Sequence, residues 1–99
     1  MEMKEAQEHT RNVGKGLKQW DAFQRVTDLL EEAGEVAAEV KAINGMKQRK
    51  GSREALALEL ADTLYSIMAI ANYYDIDLES VFKAKVDKYT QRFSKEATK

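Results

Sequence analysis

Two segments of this 99-residue chain each carry a pair of carboxylates three residues apart. Glu32 and Glu35 form the first pair, and Glu59 and Asp62 form the second. Side chains three residues apart lie on one face of a helix, so each pair points in one direction. If two such helices pack side by side, the four carboxylates converge on a site made only of oxygen atoms. Hard divalent cations prefer such sites, and Mg²⁺ in particular binds substrate phosphates as well as carboxylates, so the spacing indicates a candidate site for a divalent cation.

The acids of the first segment are crowded by charges of the same sign. Three like-charge pairs lie four residues apart: Asp28–Glu32, Glu31–Glu35 and Glu35–Glu39. Each pair costs a few tenths of a kcal/mol in an isolated helix, a cost that a bound cation would offset. The alternative is ordinary pairing with bases from elsewhere. On the other side of the helix lies an apolar arc: Phe23, Val26, Leu30, Ala33, Ala37 and Val40.

The second segment, residues 55–74, is apolar nearly all round, with 15 apolar or aromatic residues in 20. A helix of this kind is buried on several sides, against its own chain and a partner chain. Glu59 and Asp62 are its only charged side chains, and no lysine or arginine occurs between Arg53 and Lys83. Two like charges in a buried helix must be neutralised by a proton, by distant bases or by metal.

The composition favours a small all-α protein. The chain has no proline, no cysteine, five glycines, one histidine (His9) and a net charge of −1. The lack of proline favours helices over a β-rich fold, which needs more turns. Without cysteine there are no disulfides or thiolate ligands, and one histidine excludes a polyhistidine zinc site within the chain. Iron sites in helical bundles normally need His alongside Glu, so a di-iron centre is disfavoured.

A single domain is predicted over residues 1–99, as an antiparallel helical hairpin plus an additional helix. The predicted helices cover about Lys18–Ile43, Ser52–Tyr74, and from just after Asp77 to about Lys95; residues 1–16 are frayed or a short helix, and 96–99 are a tail. Ser52 and Asp77 are predicted N-caps, and Asn44-Gly45 is a C-cap signal. Gly34 in mid-helix indicates close approach of a neighbouring group. A chain this short buries little core, so we expect an oligomeric helical bundle, a homodimer or a dimer of dimers.

Membrane and nucleic-acid partners are not expected. The N-terminus has no apolar stretch of the kind found in signal peptides, and the most apolar segment contains Glu59 and Asp62. We therefore expect a cytoplasmic protein. The basic run 47–53 is short and lacks interleaved aromatic residues, which argues against nucleic-acid binding.

The sequences of the two acidic segments resemble those of a known protein family. LLEEAGEVAAEV (29–40) and LELADTLYSIMAIANYYDIDLESV (58–81) resemble the MazG-type branch of the all-α nucleoside triphosphate pyrophosphatases. That superfamily is marked by E-E-x-x-E, a spacer, and E-x-x-D. Here the signature reads Glu31–Glu35, a 23-residue spacer, and Glu59–Asp62, and the resemblance spans about residues 18–93.

The resemblance implies hydrolysis of a nucleoside triphosphate between the α- and β-phosphates, which releases a monophosphate and pyrophosphate. By motif position Glu32, Glu35, Glu59 and Asp62 would bind Mg²⁺, for which Mn²⁺ is a possible substitute. The metals would offset phosphate charge and lower the pKa of a bound water. Glu31 is the candidate to orient or deprotonate that water, so the expected catalytic set is Glu31, Glu32 and Glu35.

Substrate contacts are expected from the third helix. Lys85, Lys88 and Arg92 lie on one stripe, and Lys88 and Arg92 match the family pattern K-[FY]-x-x-R. Val86 stands where many relatives place an asparagine two residues before the lysine. Asn72 is a further candidate donor to the ligand, or else it occupies a helix end.

Other interpretations stay open. Trp20 and Phe23 either stack on a base or pack in a core or dimer contact. Phosphoribosyl-ATP pyrophosphatase is the alternative within the superfamily, although that family typically has a histidine where this chain has Ser66. An alternative of a different class is a non-catalytic helical interaction module, such as a subunit of a toxin–antitoxin or regulatory complex.

Overall fold

The computed structural model describes residues 2–13 and 20–97, most of which lie in four helices. These are α1 (Met3–Val13), α2 (Ala22–Ile43), α3 (Arg53–Tyr73) and α4 (Leu78–Ala97). No strand occurs in these two ranges, so the predicted all-α class is confirmed. The short helix considered for the first 16 residues is α1, and the start predicted at Lys18 lies outside the described residues.

The helix ends follow local capping chemistry. Asp21 accepts a hydrogen bond from the Gln24 N–H at 2.9 Å, and the Gln24 side chain accepts one from the Asp21 N–H at 2.9 Å. This reciprocal arrangement is a capping box, and it starts α2. Ser52 caps α3 as predicted, accepting from the Ala55 N–H at 3.1 Å. Gly45 has a φ of 73° just after α2, a left-handed conformation that glycine adopts without strain.

The helices α2 and α3 form the predicted antiparallel hairpin. Hydrogen bonds pair Arg25 with Ala69, Asp28 with Ser66, and Glu39 with Ser52. Residue numbers therefore increase along α2 where they decrease along α3, so the two helices are antiparallel. The side of α2 that faces α3 carries acids, and the apolar arc points away. Phe23 is 82% exposed and Leu30 is 67% exposed. The acidic face of α2 is therefore the inner face of the hairpin.

A buried glutamate fixes the connection between the two helices. Glu39 is only 4% exposed and accepts hydrogen bonds from Arg49 Nη1 at 2.7 Å and from the Ser52 N–H at 2.9 Å. The Ser52 N–H, followed by the Arg49 hydrogen bond, holds the pKa of Glu39 below its usual value. For this residue the alternative of ordinary pairing with a base is therefore correct.

The helix α1 clamps the turn between α3 and α4. The buried Gln7 side chain donates from Nε2 to the Ile76 carbonyl at 2.6 Å and to Asn72 Oδ1 at 3.1 Å, and its Oε1 accepts from the Leu78 N–H at 3.2 Å. Asp75 in this turn has a φ of 54°. These hydrogen bonds of Gln7 fix the direction in which α4 extends from the turn. Along α4, every residue from 80 to 94 is exposed. None of the helices, over the residues described, is long and apolar enough to cross a membrane.

Close packing at Gly51 gives a testable expectation. A β-carbon there would lie 2.5 Å from the Ile43 backbone nitrogen and 2.8 Å from the Ala42 carbonyl carbon. Backbone atoms cannot move aside cheaply, so we expect Gly51→Ala to lower the free energy of unfolding by about 1–3 kcal/mol. Chemical denaturation measures this change.

Gly34 provides the matched control. Apart from the helix's own backbone, no described atom lies within 4 Å of a β-carbon built there, so the close approach predicted at this glycine is not found among the described residues. Alanine is a better helix former, and Gly34→Ala should raise stability by about 0.5–1 kcal/mol. Equal stabilities for the two alanine variants would contradict the contact at Gly51.

Candidate metal centre

Three carboxylates from the two hairpin helices meet at one place. Glu32 of α2 and Glu59 and Asp62 of α3 each offer an oxygen atom, and these atoms lie within 4.8 Å of one another. Glu32 and Glu59 are half-buried, and Asp62 is exposed. The antiparallel hairpin produces this arrangement because residues near 32 on α2 lie level with residues near 62 on α3. We call these three residues the carboxylate cluster.

Glu35 is the neighbour that perturbs the carboxylate cluster most. A hydrogen bond shared with Glu35 raises the pKa of Glu59 to about 7, and burial and the charges of Glu35, Asp62 and Glu32 add to the effect. The pKa of Glu32 is raised by burial and then by the charges of Glu35, Asp62 and Asp28. A hydrogen bond between two carboxyl groups needs a proton, so without metal the cluster is partly protonated near pH 7. Cation binding would release that proton.

Two oxygen atoms of the cluster are left without partners. Glu32 Oε2 and Glu59 Oε2 are both buried, and neither accepts a hydrogen bond. Buried polar atoms in proteins are normally paired, so unpartnered carboxylate oxygens indicate a missing ligand. An all-oxygen donor set next to two such atoms fits a hard divalent cation.

Bases in the described part of the chain do not supply that ligand. Among the described side chains, the ion pairs are Arg49–Glu39 at 2.7 Å, Arg11–Asp75 at 3.4 Å and His9–Glu5 at 3.8 Å. None of them includes a member of the carboxylate cluster. Neutralisation by distant bases, the alternative considered from the sequence, is therefore not found within the described part of the chain.

A buried hydrogen bond next to the cluster was not found from the sequence. Ser66 is 2% exposed, and its hydroxyl donates to Asp28 Oδ2 at 2.6 Å. The bond holds Asp28 one helical turn before Glu32, where its charge raises the pKa of Glu32. The available signal was a small polar residue in an otherwise apolar segment, one turn beyond Asp62. Asp28 therefore belongs to the inner acidic face of the hairpin.

Comparison with known proteins now identifies the family. A model of the MazG nucleotide pyrophosphohydrolase domain matches residues 23–95. The chain belongs to the MazG family. The matched range contains the whole hairpin after Ala22 and nearly all of α4. The resemblance inferred from the two acidic motifs is thereby confirmed.

One relative matches this chain over most of both lengths. Uncharacterized protein YvdC of Bacillus subtilis (strain 168) is 34% identical over 87 residues, which cover 80% of this chain and 82% of the relative. No solved structure matched the chain.

The remaining MazG motif acid, Glu31, is exposed and lies outside the carboxylate cluster. It lines a surface groove on the first half of α2 together with Trp20 and Phe23. Phe23 is 82% exposed, whereas Trp20 is half-buried at the edge of this groove.

The candidate substrate contacts lie away from the carboxylate cluster. Asn72 accepts hydrogen bonds from Gln7 and from Arg11 at 3.4 Å, so it ties α1 to the end of α3. Lys85, Lys88 and Arg92 lie on exposed positions of α4. No ion pair between described side chains joins these three cations to the carboxylates of their own chain.

Proposed function

We propose that this MazG protein hydrolyses nucleoside triphosphates to monophosphate and pyrophosphate in the presence of Mg²⁺. The observation that carries the proposal is the pair of buried, unpartnered oxygens of Glu32 and Glu59 beside Asp62. In a member of a nucleotide pyrophosphohydrolase family, a cation bound to such an all-oxygen site is well suited to hold the triphosphate of a substrate.

The metal would be held by the carboxylate cluster together with Glu35. When bound, Mg²⁺ supplies positive charge that offsets the phosphates and makes water a better nucleophile. Without it, the cluster and its neighbours Asp28 and Glu31 present only negative charge, which repels a triphosphate. We therefore infer that substrate binding requires the cation.

Glu31 is proposed to orient the attacking water and take its proton. Its carboxylate is exposed and lies next to Glu32 in the chain, so water can reach it while the cluster is occupied. Lys85, Lys88 and Arg92 are proposed to neutralise the triphosphate oxygens.

The surroundings of Ser66 disfavour the phosphoribosyl-ATP pyrophosphatase alternative. Its hydroxyl is buried and donates its one hydrogen to Asp28, so it supports the acidic face of α2 and has no hydrogen left to donate to a substrate. A non-catalytic interaction module would not need unpartnered acids in its hairpin, because such acids only destabilise it.

A panel of canonical and modified nucleoside triphosphates with Mg²⁺ tests the proposal. We expect pyrophosphate and a monophosphate from at least one substrate, no orthophosphate, and no reaction after chelation. Mn²⁺ should restore the reaction. Release of orthophosphate, or no product from any triphosphate, would overturn the proposed function.

A further inference from the structure

The polar contacts between α2 and α3 form four pairs along the hairpin. Four acids of α2 lie on one stripe, at spacings of four, three and four residues, and each meets one polar residue of α3. The pairs are Asp28–Ser66, Glu32–Asp62, Glu35–Glu59 and Glu39–Ser52. The two inner pairs contain the carboxylate cluster and Glu35. Each outer pair joins an acid to a serine, so the outer pairs bracket the candidate cation site.

The two outer pairs differ in how the charge of the acid is balanced. Glu39 also accepts a hydrogen bond from the Arg49 guanidinium at 2.7 Å, so a base neutralises it. Asp28 accepts from the neutral hydroxyl of Ser66 at 2.6 Å, and no ion pair between described side chains includes Asp28. A half-buried carboxylate without a base is costly unless a cation binds nearby. The pair at Asp28 therefore differs from an ordinary structural contact.

The Ser66 hydroxyl bonds in a different way from the threonine hydroxyls of the helices. Thr10, Thr27 and Thr63 each donate to the carbonyl four residues earlier in their own helix, at 2.8 to 2.9 Å. That is a common hydrogen bond for a hydroxyl inside a helix. Ser66, which is only 2% exposed, instead donates its one hydrogen across the hairpin to Asp28 Oδ2. This bond holds the Asp28 carboxylate in one orientation.

Asp28 extends from this buried contact to the surface. It lines the same surface groove as Glu31, the acid proposed to orient the attacking water. Its second oxygen, Oδ1, has no partner among the described residues. That oxygen is not one of the buried, unpartnered oxygens, which belong to Glu32 and Glu59, so water reaches it. One oxygen of Asp28 is therefore fixed, and the other is open to water.

A carboxylate in this position suits the way in which Mg²⁺ binds. Magnesium usually keeps several water molecules when carboxylates bind it, and those waters donate hydrogen bonds. Groups that support the ligands of a metal commonly change its affinity by about 10-fold to 100-fold. Asp28 lies one helical turn before Glu32, and β-carbons at this spacing are about 5–6 Å apart. A single water molecule bridges a separation of this size.

We propose that Ser66 is a positioning residue for the metal centre: its hydroxyl fixes Asp28 so that the other oxygen of that carboxylate accepts a hydrogen bond from a water molecule on the bound cation. The proposal deepens the proposed function and rests on it for the presence of the cation. Neither residue belongs to the E-E-x-x-E or the E-x-x-D motif, so the sequence resemblance assigns them no role.

Titration calorimetry with Mg²⁺ alone, without nucleotide, tests the proposal. Asp28→Asn keeps the hydrogen bond, because an amide oxygen still accepts from the Ser66 hydroxyl, but it removes the charge. We expect the dissociation constant for Mg²⁺ to rise about tenfold. Ser66→Ala should raise it about as much, because it releases Asp28. The double variant should then bind Mg²⁺ no more weakly than Asp28→Asn alone, whereas independent effects would multiply to about a hundredfold.

Thermal melts of metal-free samples separate this role from a purely structural one. Ser66→Ala leaves a carboxylate oxygen without its donor, so its melting temperature should fall. Asp28→Asn should melt at the wild-type temperature or above it, because it keeps the hydrogen bond and removes a charge that repels Glu32. Thr27→Ala is the matched control. Its hydroxyl is next to Asp28 in the chain but bonds within its own helix, so the affinity for Mg²⁺ should not change.

Wild-type affinity for Mg²⁺ in Asp28→Asn would overturn the proposal, and so would a further loss of affinity when Ser66→Ala is added to it. Absence of Mg²⁺ binding by the wild type would overturn it as well. The proposed function is judged separately, by pyrophosphate release. A wild type that binds Mg²⁺ but hydrolyses no triphosphate would defeat the proposed function, while the titrations would still decide the roles of Ser66 and Asp28.

Discussion

Asp62→Asn abolishes pyrophosphate release and leaves the helices intact. The carboxylate of Asp62 lies within 4.8 Å of oxygens from Glu32 and Glu59, so it offers a charged ligand that asparagine lacks. Asparagine has nearly the same shape, and Asp62 is exposed, so little folding energy depends on the change. Because a bound metal contributes several kcal/mol of transition-state stabilisation, we expect the rate to fall by about a hundredfold or more.

Steady-state assays of pyrophosphate release, with circular dichroism on the same samples, measure the effect. Glu35→Gln should behave in the same way, because Glu35 shares a hydrogen bond with Glu59. Glu54→Gln is the matched control: Glu54 is an exposed acid in the first turn of α3, away from the cluster. Full activity of Asp62→Asn would refute its assignment as a ligand.

Magnesium raises the melting temperature, and it does so more at pH 8 than at pH 6. The pKa of Glu59 is about 7 in the native protein, against 4.5 for an ordinary glutamate. Between these values the native state holds a proton that the unfolded state does not. The metal-free protein therefore loses stability as pH rises through about 7, whereas Mg²⁺ binds better there because no proton competes. At a hundred times its dissociation constant, Mg²⁺ should stabilise by about 2.7 kcal/mol.

Thermal melts with Mg²⁺ and with chelator at the two pH values measure both effects. Glu59→Gln should lose the pH trend and most of the response to Mg²⁺, and Glu54→Gln should keep both. An unchanged response in Glu59→Gln, or the same magnesium shift at pH 6 and pH 8, would contradict the site.

The hairpin and the meeting of its acids could be predicted because both depend on local rules. Ser52 and Gly45 mark helix ends by capping chemistry. Two side chains spaced by three residues lie on the same face of a helix, whatever that helix packs against. The sequence also indicated that the acids of α2 were more than a solvated face. In the structure Asp28 and Glu32 are half-buried and Glu39 is buried on the inner side of the hairpin, whereas Glu31 and Glu35 are exposed.

Other features could not be predicted because they depend on how elements meet. Periodicity groups Phe23, Val26 and Leu30 on one side of α2, but it does not tell whether that side meets the same chain or another. The pairing of Glu39 with Arg49 depends on the path of the connection. The direction of α4 depends on Gln7, 69 residues away from Ile76 in the chain.

The scarcity of enclosed apolar side chains has a consequence for the protein in a cell. Over the residues described, only Ala42, Met68 and Ala71 are shielded from water among the apolar ones. So small an interior gives a lone chain little stability, and in the expected homo-oligomer folding would be linked to encounter between chains. In that case newly made chains too dilute to meet would stay open to proteases, and the folded protein would accumulate only when synthesis outpaces that loss.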